Sequence, residues 1–248
     1  MTHAGYFEGI GGFSLAAEWA GLETIYHCEY DYYRRDWLKH RWPSAAQEDD
    51  IRVAKGMYAN IWTAGFPCQD ISVANPNAVG ITGNRSGLWF KLLALIEKHR
   101  PPFVILENSP LIRKKGLNIV LDGLAQIGYD AEWDVVHKTE FGFSDWRKRF
   151  FCVAYPAQIG RLHSHAVFSI EHKEIVKQKV ERQKQLWAEI HGMDGLESTR
   201  KAHAYALSFD AGIPPKLAQK EIEAYGDAVC PYAALYVLEL LKLFIENE

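Results

Sequence analysis

Short apolar runs alternate with longer segments of helical spacing over the first 155 residues. This alternation is typical of βαβ units, which build a mostly parallel sheet with helices on both faces. Strands are predicted over His3–Phe7, Glu23–Glu29, Asn60–Gly65, Phe103–Glu107, Ala131–Val136 and Arg149–Ala154. Helices are predicted over Gly12–Ala20, Tyr32–Trp42, Leu88–Arg100 and Leu117–Ile127. We therefore expect an α/β fold with a doubly wound, mostly parallel sheet.

The pattern changes after Pro156. The charged segment Glu171–Ile190 carries Val176 and Val180 at amphipathic spacing and predicts one helix, which is either a solvated cover over the core or a surface that touches a ligand. Further helices are predicted over residues 216–225 and 232–245, after a Gly-Ile-Pro-Pro loop signal. The expected units are residues 1–155, 156–215 and 216–248.

The composition is that of a globular chain, because 48% of the 248 residues are hydrophobic and 24% are charged. No apolar stretch approaches the roughly 20 residues of a membrane span, and the first residues do not form a secretory signal. We therefore expect a cytoplasmic protein without a membrane partner. The four cysteines, Cys28, Cys68, Cys152 and Cys230, form no C-x-x-C pair, so neither a zinc site nor another metal site is expected.

Charge is unevenly distributed along the chain, although its net value is only −3. Residues 138–201 hold 12 lysines and arginines against 8 acidic residues, whereas the rest of the chain holds 16 against 23. Such segregation permits a polyanion to dock on one face while the remainder stays acidic. A solvated charged helix would give the same count.

A glycine-rich turn, Phe-Glu-Gly-Ile-Gly-Gly-Phe, follows the first predicted strand and opens a helix. Glycines at this place let the backbone approach a cofactor closely, although a turn without a ligand would look the same. The dinucleotide fingerprint is not met, because Ser14 stands at the third small position. Glu29 suits a ribose diol and Asp50 suits an adenine amino group. The three features together indicate an adenosyl cofactor with no pyrophosphate.

Three further groups of reactive residue types stand beside predicted strands. Cys68 follows the strand at 60–65, where open α/β sheets place their ligands and where a stabilised thiolate acts as a nucleophile. Glu107 ends an apolar strand, where an unpaired carboxylate is costly to bury. Arg147 and Arg149 alternate before the last strand, so both side chains face one side. Each group alone also has a structural explanation: an inert thiol, a structural hydrogen bond and a basic surface edge.

Taken together, these motifs resemble the cytosine-5 DNA methyltransferases. The glycine turn, Glu29, Asp50-Ile51, Gly-Phe-Pro-Cys-Gln, Glu-Asn-Ser, Arg-x-Arg and Gly-Asp-Ala-Val at 226–229 occur in that family's order along nearly the whole chain. Pro-Cys-Gln and Glu-Asn at successive strand ends, with Arg-x-Arg after them, form a specific combination. The resemblance implies a Rossmann-like methyltransferase fold, S-adenosyl-L-methionine as cofactor and double-stranded DNA as substrate.

The family's chemistry gives each of these residues a role. By resemblance, Cys68 adds to carbon 6 of a cytosine flipped out of the duplex, Glu107 donates a proton at ring nitrogen 3, and Arg147 holds the base oxygen. Carbon 5 then attacks the sulfonium methyl group, and loss of the carbon 5 proton expels Cys68. The resemblance implies that residues 1–155 form a catalytic domain and residues 156–215 a target-recognition region. It also implies that the helices in residues 216–248 pack back on the catalytic domain.

Three sets of site residues follow from the motifs and the resemblance. The expected catalytic residues are Cys68, Glu107, Arg147 and Arg149. The expected cofactor-binding residues are Phe7, Gly9, Ile10, Gly11, Gly12, Glu29, Asp50, Ile51, Pro67, Leu88, Asp227, Ala228 and Val229. The expected nucleic-acid-binding residues are Gln69, Ser72, Arg113, Lys114, Lys115, Lys177 and Lys184.

Several alternatives stay open at this point. An RNA (tRNA) cytosine-5 methyltransferase would use the same residues, and a silent DNA-binding homologue would keep the fold. Ser109, Asp145 and Asp227 depart from the family's usual valine, glutamine and asparagine. We expect a monomer. The sequence does not give the target site, a paired restriction endonuclease, or a cellular or viral origin.

Overall fold

The computed structural model describes residues 1–67, 87–141, 147–160, 166–190 and 229–246. A seven-stranded sheet with strand order β3-β2-β1-β4-β5-β7-β6 forms its centre. The strands are β1 (Thr2–Tyr6), β2 (Glu23–Cys28), β3 (Ala46–Glu48), β4 (Ile61–Ala64), β5 (Phe103–Asn108), β6 (Tyr129–His137) and β7 (Lys148–Pro156). Every predicted strand is present with bounds within two residues of the prediction.

Six strands run in one direction and β7 alone runs against them. β1 pairs in parallel with β2 and β4, and β3 and β5 extend this arrangement on either side. β7 pairs antiparallel with both β5 and β6. The prediction of a mostly parallel α/β sheet is therefore confirmed, and the antiparallel β6-β7 hairpin is the feature that the pattern did not specify.

Helices cover both faces of this sheet. They are α1 (Gly12–Trp19), α2 (Tyr32–Arg41), α3 (Gly87–His99), α4 (Ile112–Lys115), α5 (Leu117–Gln126), α6 (Ala157–Gly160), α7 (Ile170–Ile190) and α8 (Pro231–Glu246), with a 3-10 turn at Lys138–Phe141. One apolar cluster joins α1, α7 and α8 to the sheet, and a second joins α3 and α5 to its other face. Because both faces are covered, all six residues of β5 are buried.

The helix α7 packs against α8 and the 3-10 turn through its apolar stripe. Val176 and Val180 are buried in the same cluster as α8 and the ends of β6 and β7. Its lysines form ion pairs with acidic residues of other elements, at 2.5 Å between Lys173 and Asp134 and 3.2 Å between Lys179 and Glu239. The helix predicted over residues 216–225 lies outside the described residues.

The helix α8 closes the fold next to α1. Most of its residues are buried, among them Tyr232, Leu235 and Phe244. Trp19 of α1 lies with its ring centroid 5.0 Å from that of Tyr232. No helix among the described residues is both long enough and apolar enough to cross a membrane.

Candidate active site

The glycine turn between β1 and α1 is held at defined points. Gly9 and Gly11 have φ angles of 63° and 90°, in the left-handed region that favours glycine. The Gly9 N–H donates to Glu29 Oε2 at 2.8 Å, and the Ile10 carbonyl accepts from Trp37 Nε1 at 3.1 Å. A side chain at Gly11 would overlap the ring of Trp42. The turn is therefore fixed by β2 and α2 as well as by its own glycines.

The segment before α8 lies directly against this turn. A Cβ atom at Gly12 would overlap the carbonyl oxygen of Val229. Gly12 has an ordinary φ angle, so it is close approach of backbone to backbone, and not a left-handed conformation, that requires glycine here. The structure thus places Val229 beside the glycine turn. Asp227 and Ala228 lie outside the described residues.

A cavity of about 450 Å³ opens at the carboxyl ends of the parallel strands, beside the glycine turn. Ligands of open α/β sheets bind at this edge. Six of the predicted cofactor-binding residues line it: Phe7, Glu29, Asp50, Ile51, Pro67 and Leu88. The other lining residues, which the sequence reasoning did not select, are Cys28, Tyr30, Arg34, Asp49, Arg52 and Gly65.

Glu29 is a buried carboxyl at the wall of this cavity. Burial raises its pKa, while hydrogen bonds from the backbone N–H groups of Asp31 and Gly9 and the charge of Arg34 oppose that rise. Arg34 is half-buried and has no side-chain hydrogen bond or ion pair within the described part of the chain. The wall therefore offers one fixed acceptor and one guanidinium with donors to spare.

Asp50 already has a strong partner. The Arg52 guanidinium binds its carboxylate, with 2.6 Å between Nη2 and Oδ2, and this hydrogen bonding lowers the Asp50 pKa. The same guanidinium lies over the Tyr30 ring, 5.4 Å from its centroid. The ion pair was not predicted. It keeps Asp50 ionised at the mouth of the cavity and leaves fewer of its lone pairs for a ligand.

Glu107 and Arg149 meet at the end of β5. The antiparallel pairing of β5 with β7 brings Arg149 Nε to 2.7 Å from Glu107 Oε1, an ion pair in which both side chains are largely buried. The N–H does not point at the oxygen, so Oε1 lacks a hydrogen-bond donor among the described residues. Burial raises the Glu107 pKa to about 7, against the opposing charges of Arg149 and Arg147.

Gly65 connects this carboxyl to the cavity. A Cβ atom at Gly65 would lie 3.4 Å from Glu107 Oε2, 3.6 Å from Val229 Cγ2 and 3.8 Å from the Phe7 carbonyl oxygen. Asn108 Nδ2 donates to the Phe66 carbonyl at 3.1 Å, which ties the end of β5 to the end of β4. Glu107, the glycine turn and the cavity therefore form one continuous region.

The predicted site residues Cys68, Gln69 and Ser72 lie outside the described residues. So does Asp145, which stands where the family usually has glutamine. The other three cysteines are buried and form no disulfide among the described residues. Burial raises the pKa of Cys28 and of Cys152 to about 12, and it also raises that of Cys230. These three thiols are therefore protonated and unreactive at neutral pH.

The predicted DNA-binding cations fall into two groups. Arg113, Lys114 and Lys115 form α4, just after β5, and their side chains have no hydrogen bond or ion pair within the residues that the structure describes. By contrast, Lys177 lies 3.5 Å from a Glu140 oxygen, and Lys184 lies 3.3 Å from Glu181. In the described ranges, no three metal-ligating side chains meet in a group that could hold a metal ion.

Comparison with known proteins explains this arrangement. The sequence model for C-5 cytosine-specific DNA methylases matches residues 1–210. The chain belongs to this family. The resemblance inferred from the motifs is therefore confirmed, as an assignment to a family of methylases.

Relatives of this C-5 cytosine-specific methylase are longer than the chain itself. The Type II methyltransferase M2.BsuMI of Bacillus subtilis (strain 168) is 34% identical over 183 residues, which cover 70% of this chain and 46% of that protein. The Type II methyltransferase M.Sau3AI of Staphylococcus aureus is 28% identical and is covered to 42%. The chain thus spans about half the length of the curated relatives it matches.

Solved structures share the fold over nearly the whole methylase chain. A candidate DNA modification methyltransferase encoded within an E. coli prophage has a TM-score of 0.67 at 15% identity, with 99% of both chains covered. The Dnmt2 methyltransferase of S. pombe has a TM-score of 0.63 at 13% identity, with 97% and 98% covered. At such identities these likenesses establish the Rossmann-like fold alone.

Proposed function

We propose that the chain transfers a methyl group from S-adenosyl-L-methionine to carbon 5 of cytosine in duplex DNA. The observation that carries this proposal is the continuity between the cavity beside the glycine turn and the buried pair of Glu107 and Arg149, in a chain of this family. One site can therefore hold an adenosyl group and a base side by side.

The cavity fits the adenosyl group of the cofactor. Glu29 offers a fixed buried acceptor for ribose hydroxyls, and Ile51 and Leu88 offer apolar surface for the adenine ring. The left-handed glycines leave the backbone of the turn accessible. The cofactor supplies an electrophilic methyl group on a sulfonium. Arg34 adds donors for the acceptor atoms of the adenosine or for the carboxylate of the methionine portion.

Glu107 acts on the cytosine ring. Because its pKa is raised to about 7, a large fraction of its carboxyl groups carries a proton at neutral pH, and this proton is available to ring nitrogen 3. Arg149 holds the carboxyl in place, and Arg147 lies near enough to lower its pKa. Addition of the Cys68 thiolate to carbon 6 makes carbon 5 nucleophilic, and the proton from Glu107 balances the charge that develops on the ring.

Access to the buried Glu107 requires that the base leaves the helix stack. Arg113, Lys114 and Lys115 of α4 lie shortly after β5 and have no partner among the described residues, and we propose that they bind the phosphates next to the flipped base. A monomer suffices for this reaction. A paired restriction endonuclease would cut the sequence that the enzyme protects, in keeping with the Type II names of the relatives.

The test is to express the protein in a host that lacks cytosine methylation and to map 5-methylcytosine across the host DNA. We expect methylation at one recurring sequence, and none from Cys68→Ala. In parallel, transfer of a labelled methyl group to duplex DNA and to tRNA is compared with purified protein. Transfer to tRNA alone would favour the RNA alternative, and transfer to neither would support a silent DNA-binding homologue.

The covalent step has its own test. Duplex DNA with 5-fluorocytosine at the target should trap a denaturation-resistant adduct in the presence of S-adenosylmethionine, because fluorine cannot leave as a proton does. Cys152→Ala, a change at a buried thiol, should still form the adduct, whereas Cys68→Ala should not. An adduct of equal yield from Cys68→Ala would remove Cys68 from the mechanism.

A further inference from the structure

Glu8, Ser14 and His27 form a buried cluster of polar side chains next to the glycine turn, and the proposed mechanism does not use this cluster. Glu8 Oε1 accepts from the Ser14 N–H at 2.8 Å and lies 2.7 Å from Ser14 Oγ, which lies 2.9 Å from His27 Nε2. All three residues are buried. Glu8 Oε2 and His27 Nδ1 have no hydrogen-bond partner among the described residues. Such a cluster is costly to bury, so a gain elsewhere must offset that cost.

Glu8 supplies a cap that α1 otherwise lacks. The N-cap residue Gly11 has no side chain, so it cannot bind the N–H groups of the first turn. The Glu8 carboxyl reaches back under the turn and binds the Ser14 N–H instead. Glu29, which lines the cavity, binds the Gly9 N–H, so two carboxyl groups hold the backbone of the glycine turn and of the first turn of α1.

The first strand leaves space for this carboxyl. A Cβ atom at Gly5 would lie 2.6 Å from Glu8 Cδ and would overlap Oε2. Gly5 is in β1 and its φ angle is ordinary, so alanine fits its backbone, and the Glu8 side chain supplies all three of the nearest atoms around that Cβ. The chain therefore combines a glycine at position 5 with a glutamate at position 8.

We propose that Glu8 is a positioning residue for the cofactor, which fixes the backbone of the glycine turn in the shape that binds the adenosyl group. The proposal rests on the cofactor site proposed above. Burial raises the pKa of Glu8 to about 8, so the carboxyl is mostly neutral at pH 7. Glutamine, which is neutral and has the same shape, can therefore take its place.

The test compares the binding of S-adenosylhomocysteine and of duplex DNA by folded variants. Glu8→Ala should weaken binding of S-adenosylhomocysteine roughly tenfold or more, because the Ser14 N–H loses its acceptor. Glu8→Gln should restore most of this affinity. DNA affinity and kcat at saturating cofactor should stay within about twofold in both variants, since only cofactor binding is changed. Glu18→Ala, on the exposed side of α1, is the matched control and should bind like the wild type.

A double-mutant cycle with Gly5 isolates the mechanism. Gly5→Ala should weaken cofactor binding as Glu8→Ala does, because the new methyl group displaces the Glu8 carboxyl. The double variant should bind no more weakly than Glu8→Ala alone, since the displaced side chain is then absent. Independent, additive losses would overturn the proposal, and so would cofactor binding by Glu8→Ala equal to that of Glu18→Ala.

A third variant covers the case in which Glu8→Ala does not fold. Ser14→Ala keeps the Ser14 N–H and removes the hydroxyl that joins Glu8 to His27, so cofactor affinity should fall by about two- to fivefold with DNA affinity unchanged. Unchanged cofactor affinity in both Ser14→Ala and Gly5→Ala would refute the proposal. Failure of the wild type to bind S-adenosylhomocysteine would instead refute the proposed function.

Discussion

At the scale of single residues, burial tunes the two carboxyl groups of the site differently. Glu29 accepts two backbone hydrogen bonds, which oppose the effect of its burial. Glu107 has an arginine at 2.7 Å but no hydrogen-bond donor to Oε1 among the described residues, and its pKa rises to about 7. A fixed acceptor suits ribose, whereas a carboxyl that exchanges its proton near neutral pH suits acid catalysis.

The Glu107 carboxyl should control the alkaline side of the pH profile. The protonated form is the active acid, and its fraction falls as the pH rises through about 7. We therefore expect kcat/KM for DNA to decline above that pH. Glu107→Gln should lower the rate by roughly 10²- to 10⁴-fold and should lack this decline. A Glu107→Gln profile that declines like the wild type would assign the titration to another group.

Glu29 should contribute to cofactor affinity alone. Loss of a hydrogen bond to a charged group costs about 1.5–3 kcal/mol, so Glu29→Ala should bind S-adenosylhomocysteine roughly 10- to 150-fold more weakly by calorimetry. Glu23→Ala, at the exposed start of β2, the strand that ends just before Glu29, is the control. Unchanged affinity in Glu29→Ala would remove Glu29 from the site.

The sequence predicts which residue types stand at the ends of the strands. It does not predict which side chains they contact in the fold. Glycine, acid and arginine motifs located Glu29, Glu107 and Arg149. The ion pair between Asp50 and Arg52 depends on the path of the loop after β3, for which no periodicity exists. The motif does not single out Glu8, because the place of its side chain depends on space that Gly5 leaves in another element.

At the scale of elements, the strongly periodic segments were predicted and the short polar ones were missed. The strand β3 consists of Ala-Gln-Glu, which carries no apolar alternation. The four-residue helices α4 and α6 are shorter than the span over which a helical period can be recognised. The direction of β7 was also hidden, because alternation along a strand is the same in a parallel and an antiparallel pair.

The positions of α4 and α7 predict different contributions to DNA binding. Lys177 and Lys184 have acidic partners within the protein, so Lys177→Gln with Lys184→Gln should change the salt dependence of DNA affinity little. Arg113→Gln with Lys114→Gln removes two cations that have no partner among the described residues, and it should flatten the slope by roughly one unit per lost phosphate contact. Salt titrations on target and non-target duplexes measure both slopes.

The outcome decides between two uses of α7. If Lys177→Gln with Lys184→Gln flattens the salt dependence of DNA affinity, α7 is the phosphate-binding surface that the charge distribution along the sequence suggests. An unchanged slope for the α4 pair would remove Arg113 and Lys114 from the DNA interface. Cofactor affinity should stay constant in both double variants, which excludes a general effect on folding.

At the scale of the whole molecule, the contact of Gly12 with Val229 joins the two ends of the described fold. Gly12→Ala should push the segment before α8 away from the glycine turn, because its methyl group would overlap a backbone oxygen that cannot rotate aside. We expect a lower melting temperature and weaker cofactor binding. Gly87→Ala, where the new methyl group meets no atom of the described residues, is the control. Equal melting temperatures of the two variants would contradict this packing.

The same contact has a consequence for protein synthesis. While the ribosome is still translating the codons before residue 229, the emerging chain carries the whole sheet, but it lacks the backbone that faces Gly12 and the apolar helix that covers α1. The nascent polypeptide therefore has an incomplete wall beside its glycine turn. With the cofactor site proposed above, we expect a messenger that is cut short, or a ribosome that stalls before this point, to yield a product that binds the cofactor weakly.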